Sequence, residues 1–315
     1  MKSIFNRNLF EVRNEYELLV SILFAKSMYE EAHIASEIYC TFHLDLEQVK
    51  LLNELEGIKI QGYARSSTKN GRLRILLRLF FFSALNFFKW KQVYIFHEIS
   101  PVILFHRFFE SLNLIEHGEI NYININTSPY YERSFYGFFK SKVLKNNYVG
   151  ESDFFDYVYL GEMRRCPVGL AKKAKPLCLD RLGKKLNQQE IVTVNRIFYF
   201  DEFHLGKRNY LPNLLLTQPF SELSMMSESD KVRLYQKAIA GLDGRIVIKP
   251  HPKETTDYSL YFPEAEIITG NFPIELFSVN QIAFDKVLTV NSSGAKNTRN
   301  REIVMIKDEL INGRV

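Results

Sequence analysis

Leu214-Leu215-Leu216-Thr217 is a short apolar run that leads into the loop Gln218-Pro219-Phe220-Ser221-Glu222. Helical periodicity follows from Glu228 to Leu242, and then a second apolar run, Ile246-Val247-Ile248-Lys249. Strand, helix and strand in that order make a βαβ unit, whose crossover helix forces the two strands to pair in parallel. Runs near Glu266-Ile267-Ile268-Thr269 and Lys286-Val287-Leu288-Thr289-Val290 extend the series. The spacing therefore predicts a mostly parallel sheet covered by helices.

Upstream the same alternation is predicted. Glu15 to Tyr29 has apolar residues at helical spacing, and Gly57 to Ile60 and Gln92 to His97 read as strands. Pro101 to Leu112 reads as helical, and Phe155-Asp156-Tyr157-Val158-Tyr159-Leu160 as a strand stopping at Gly161-Glu162. Between Leu170 and Glu190 the chain turns basic and poor in apolar residues, which places the domain connection between there and Pro212. The 315 residues, 46% of them hydrophobic, suit two domains better than one core. The expected division is 1–205 and 206–315, an α/β fold of two Rossmann-like doubly wound domains facing each other across a cleft.

The net charge of +5 favours anionic partners such as a phosphorylated substrate or a membrane surface. Nucleic acid is not expected, because the basic residues are dispersed and no nucleic-acid-binding motif is present. Cys40, Cys166 and Cys178 are odd in number and lack zinc spacing, so a reducing, cytoplasmic setting is expected. The N-terminus lacks the pattern of a signal peptide. From Arg74 to Trp90 runs a Phe-rich segment, shorter than the ~20 apolar residues that cross a bilayer and interrupted by Arg78 and Asn86. A buried helix is the expected role, an interfacial helix with basic flanks the alternative. Peripheral membrane contact and a homodimer both stay open.

Ligands of open α/β sheets bind beyond the carboxyl ends of strands, so the strand ends hold the candidate chemistry. Arg245 to Glu254 ends a strand at Lys249-Pro250-His251-Pro252-Lys253, a basic, proline-braced turn with one imidazole; it fits an anionic ligand, or is simply a surface turn. Gln218, Ser221 and Glu222 follow another strand. Ser292-Ser293-Gly294 follows a third and should open a helix whose hydroxyls and N–H groups suit a phosphate, or only a Ser cap. Glu275 stands at the start of a helix, where it can accept hydrogen bonds from ribose or merely complement the helix dipole. In the first domain, Glu116-His117-Gly118 puts a carboxylate before a glycine, as a general base would need, or as any charged turn would have.

Together these residues are recognisable. Glu116-His117-Gly118 resembles the Asp/Glu-x-Gly motif of bacterial sialyltransferases, Lys249-Pro250-His251-Pro252 their HP motif and Ser292-Ser293 their Ser-Ser motif, in the same chain order. With Thr217 to Glu222 and Pro273-Ile274-Glu275, the chain from about Ile115 onward resembles glycosyltransferase family 52, especially its capsular-polysaccharide and lipooligosaccharide sialyltransferases. It departs from the pattern at His117, where an acid is more usual, and at Phe10 to Tyr16, which matches the family's opening strand loosely.

The resemblance implies a GT-B fold and an inverting, CMP-sialic acid-dependent transfer to a galactose-terminated glycan. Glu116 or Glu222 would be the base and His251 the leaving-group acid. Lys249, Pro252, Glu275, Ser292, Ser293, Gly294, Gln218 and Ser221 would hold the donor. No metal and no other cofactor is expected: a monophosphate needs less cationic help than a diphosphate, and Asp153 and Asp156 do not form an Asp-x-Asp pair. Another nucleotide-sugar transferase and a non-catalytic scaffold of capsule assembly are the rival readings.

Overall fold

The computed structural model describes residues 7–64, 69–127, 146–200, 211–290 and 292–307. The chain forms two compact units, Met1–Ile197 and Phe198–Val315. The division expected after residue 205 falls outside the described residues.

The first unit is built on seven strands: β1 (Arg7–Val12), β2 (Ala35–His43), β3 (Ile58–Ala64), β4 (Trp90–Ile95), β5 (Ser111–Ile115), β6 (Tyr157–Leu160) and β7 (Ala174–Pro176). All pair in parallel, in the order β3-β2-β1-β4-β5-β6-β7. Such a sheet is covered on both faces, so its central strands are buried rather than alternating: all five residues of β5 are buried, the polar Ser111 and Asn113 included. Helix α1 (Glu15–Ala32) starts where the Asn14 side chain accepts a bond from Glu17 N at 3.0 Å. Helix α2 (Leu46–Glu54) starts with a capping box of Asp45 and Gln48. Helix α3 (Lys69–Asn86) follows β3.

The second unit carries β8 (Asn213–Leu216), β9 (Ile246–Lys249), β10 (Glu266–Ile267), β11 (Ala283–Thr289) and β12 (Arg299–Met305), again all parallel, in the order β10-β9-β8-β11-β12. The crossover helix from β8 to β9 spans Glu228–Ile239 and is capped by Ser227. Both sheets reverse their strand order, between β1 and β4 and between β8 and β11, and those reversals are where doubly wound sheets take ligands.

Three expectations need correction. Pro101 to Leu112 is not one helix: a 3-10 segment covers Pro101–Phe108 and the chain is already in β5 at Ser111. Its apolar run satisfies both periods, and the seat beside β4 decides for the strand. The turn after Ser292 is a short 3-10 segment, Ser293–Asn297, rather than a helix. Helix α3 is buried on one side only: Leu79 and Ser83 have no exposed surface, whereas Leu77, Phe81 and Leu85 stand in solvent.

Candidate active site

In the second unit the strand topology puts the loops after β8, β9 and β11 at one sheet edge. Glu254, whose side chain has no exposed surface, binds two of these loops together. It accepts from His251 N at 2.7 Å, from Tyr258 Oη at 2.6 Å and from the Thr217 hydroxyl. Gln218 is anchored through its backbone N–H, which donates to Tyr235 Oη at 2.7 Å.

His251 is held in a defined state. The backbone N–H of Lys253 points at its Nδ1 at 3.1 Å. An amide N–H only donates, so Nδ1 carries the lone pair and the neutral ring bears its proton on Nε2. Burial holds the ring below its ordinary pKa, with Lys253 and Lys249 acting the same way and Glu254 and Glu222 opposing them. Pro252, next to it, is exposed.

Lys249, at the end of β9, is 6% exposed, and its amine lies 4.3 Å from the centre of the Phe272 ring. Burial brings the amine down to about 8, partly offset by Glu275. Glu275 is buried too, so its carboxyl is pushed up, while the amide of Asn297, donating at 2.8 Å, acts in the other direction. Lys249, two residues before His251, thus sets a buried amine within electrostatic reach of the buried Glu275 carboxyl. Ser292 precedes the turn Ser293–Asn297 and uses its N–H on Thr289 Oγ1 at 3.0 Å; its hydroxyl makes no cap bond. Gly294 packs so tightly on Ile274 that a Cβ would sit 2.7 Å from Ile274 Cγ2.

Glu222 and Ser221 are put to another use. Lys231, with no exposed side-chain surface, sits among Glu222 at 3.1 Å, Glu228 at 3.1 Å and Glu254 at 3.5 Å, and donates to Thr256 Oγ1 at 2.6 Å. The Ser221 hydroxyl lies 2.9 Å from Glu222 Oε2 and 2.5 Å from Glu228 Oε2. Burial acts to raise the Glu222 carboxyl, but bonds from Thr255 N–H, Lys231 and Ser221 outweigh it and bring it to about 2. A carboxylate that acidic and that fully engaged is a poor proton acceptor.

In the first unit Glu116 follows β5. Its Oε2 accepts from Gly161 N at 2.8 Å and from the Tyr122 hydroxyl, and Tyr122 Oη in turn accepts from Glu162 N at 2.8 Å. Burial raises the Glu116 carboxyl; the Tyr122 and Gly161 bonds pull it down, and Glu162 and Glu119 add to the rise. A Cβ at Gly161 would come 2.8 Å from Glu116 Oε1, so a larger residue there would displace the carboxylate. Gly118 turns the chain with φ +126°, a conformation that favours glycine.

His117 packs its ring 4.3 Å from that of His97, and burial together with His97 brings it to about 4. His97 Nε2 lies 2.8 Å from Glu17 Oε1, a fully buried carboxylate at the start of α1. Nearby Glu11 holds Arg13 at 2.9 Å, and both lie where β1 meets α1. Sequence reading missed Tyr122, His97, Glu17 and Lys231. The readable signals were an acid one residue before the apolar run of α1, Glu17, and a histidine two residues after β4, His97.

The sequence model of the family described as Glycosyltransferase family 52 matches residues 76–309, so the likeness begins in α3, well before Ile115. An uncharacterized protein of Haemophilus influenzae is 28% identical over 174 residues, 55% of this chain and 57% of that protein; the match thus spans little more than half its length. Among solved structures, a sialyltransferase from Photobacterium damsela superposes with a TM-score of 0.58 at 13% identity, covering 95% of this chain and 74% of that one. A UDP-GlcNAc 2-epimerase from Methanocaldococcus jannaschii gives 0.52 at 13% identity, covering 96% and 90%. At these identities the likeness shows the fold, α/β of the GT-B type.

Proposed function

The chain belongs to glycosyltransferase family 52, and on that premise we propose that it is an inverting sialyltransferase. It would move sialic acid from CMP-sialic acid to a terminal galactose hydroxyl of a capsular polysaccharide or related glycan. The observation that carries the reading is His251, whose Nδ1 is engaged by Lys253 N–H, so that Nε2–H is the donor presented beside the buried Lys249.

In this mechanism the acceptor oxygen bonds to the anomeric carbon and gives its proton to Glu116. The bond from that carbon to the phosphate oxygen breaks, and its electron pair leaves with CMP. Positive charge on the sugar ring peaks in between. The departing phosphate takes a hydrogen bond from His251 Nε2–H, charge from Lys249, and N–H and hydroxyl groups from the turn at Ser292, Ser293 and Gly294. Glu275 suits the ribose hydroxyls, and Gln218 and Pro252 the remainder of the nucleotide. Of the two candidate bases, Glu116 fits the task better: burial raises it toward the working range, whereas Glu222 lies at about 2.

The test is CMP release from CMP-sialic acid by the purified protein, with and without lactose. Release stimulated by lactose, retained in excess EDTA and cut by about 10²–10⁴-fold in His251→Ala is the expected result. Loss in EDTA that Mg²⁺ restores would sink metal independence, and near-normal turnover in His251→Ala would sink the role of the histidine. Thermal protection by UDP or GDP and not by CMP would move the donor to another nucleotide sugar.

Lys249 adds a pH signature. In the free protein the amine loses its proton as pH rises through about 8, so CMP affinity is expected to fall above that pH. A phosphate beside it raises its pKa, so CMP binding near pH 8 takes up protons. The calorimetric binding enthalpy then varies with the ionisation heat of the buffer, and this variation disappears in Lys249→Met. Equal enthalpies in all buffers with the unaltered protein would remove Lys249 from the phosphate.

A further inference from the structure

Helix α3 and the 3-10 segment Pro101–Phe108 together expose a large apolar surface. Leu77, Phe81, Leu85, Phe88, Leu104 and Phe108 are each between 43% and 72% exposed. Leu77, Phe81 and Leu85 are four residues apart and share one helix face. The patch is continuous, because half-buried rings join its parts from below. Phe80 lies 5.5 Å from Phe81 and 5.9 Å from Phe105, and Phe87 lies 5.9 Å from Phe88, 5.8 Å from Phe105 and 4.4 Å from Phe108. Exposed apolar patches of this kind mark interaction sites.

Its charge identifies the occupant. Arg74, Arg78, Lys89 and Arg107 are exposed around the same surface, and no acidic residue occurs in the chain between Glu56 and Glu98. We propose that this face binds the surface of an anionic lipid bilayer, with the phenyl rings and leucines entering the headgroup boundary and the basic side chains meeting lipid phosphates. A second copy of the chain fits less well, since a two-fold contact through this face would set arginines against arginines. No described helix is long and apolar enough to cross a membrane, so the contact is with the surface. The inference is independent of which sugar is transferred.

The test is flotation of the full chain with vesicles of phosphatidylcholine alone or mixed with phosphatidylglycerol. Flotation with the mixed vesicles only, falling as salt rises, is the expected result. The double variant Arg74→Glu/Arg78→Glu and the triple variant Phe81→Ser/Leu85→Ser/Phe108→Ser should each lower the bound-to-free ratio by about 10-fold or more. These side chains are exposed, so both variants should keep the parent's circular dichroism and melting temperature. Failure to float with anionic vesicles, or equal flotation of all variants, would overturn the proposal. So would a dimer that the triple variant splits and that shows no vesicle binding, which would give the face to a second copy instead.

Discussion

Replacing Glu116 by glutamine is expected to lower turnover by about 10²–10⁴-fold, the contribution of a positioned general base, while leaving CMP binding unchanged. The amide is nearly isosteric and can still accept from Gly161 N and Tyr122, so the fold at the end of β5 survives and only the proton acceptor is lost. Turnover near that of the parent would end the assignment. Tyr122→Phe separates positioning from chemistry. It keeps the ring under Arg165, whose guanidinium lies 4.7 Å from the ring centre, but removes the hydroxyl that holds Oε2. That hydroxyl favours the ionised carboxylate, so its loss raises the Glu116 pKa and moves the acid limb of the kcat/KM profile to higher pH. An unmoved limb in Tyr122→Phe, with Glu116→Gln inactive, would leave the base in place and remove Tyr122 from its control.

Lys231→Met is the stability counterpart. Its amine is the cation shared by Glu222, Glu228 and Glu254, and breaking a buried ion pair from one side costs about 3–5 kcal/mol because the remaining charge is left uncompensated. The second unit should therefore unfold well below the parent's melting temperature. The pH dependence has a definite sign. The Glu222 pKa is depressed in the folded protein, so its contribution is fully present above about 4.5 and is lost as pH falls toward about 2. The gap between parent and variant should narrow over that window. A gap that stayed constant with pH, or a loss below 1 kcal/mol, would mean that the carboxylates find other partners.

Part of the second unit was legible because β8 and β9 are short, apolar and bounded by Gly or Pro, whereas β12, with Arg299, Arg301 and Glu302 exposed, carries no such signal and was not expected. β9 lies at its expected residues, β8 one residue before them, and the helix between starts at Glu228 as expected and ends three residues early. The first unit was less so. β2 holds Ser36, Glu37 and Thr41 among its apolar residues, and the buried Glu37 is satisfied by Trp90 Nε1 at 2.9 Å, a partner 53 residues away. No local pattern encodes such a pairing. The site divides in the same manner. The places of His251, Lys249 and Glu116 at strand ends could be read locally, but the partners of Glu222 could not. Whether a carboxylate is a base or a brace depends on what stands opposite, and Lys231 reaches it from a helix whose lysine reads like any solvent-facing one.

The knot made by Glu254 bears on how a nucleotide would be met. A single buried carboxylate fastens the chain after β8 to the chain after β9, so these segments are ordered by the act of folding rather than by the arrival of a ligand. Binding then carries little of the entropy loss that mobile loops impose, and affinity depends on the match between the nucleotide and a ready-made surface. Selectivity among nucleotides would accordingly be rigid, and hard to broaden by changes confined to the rim.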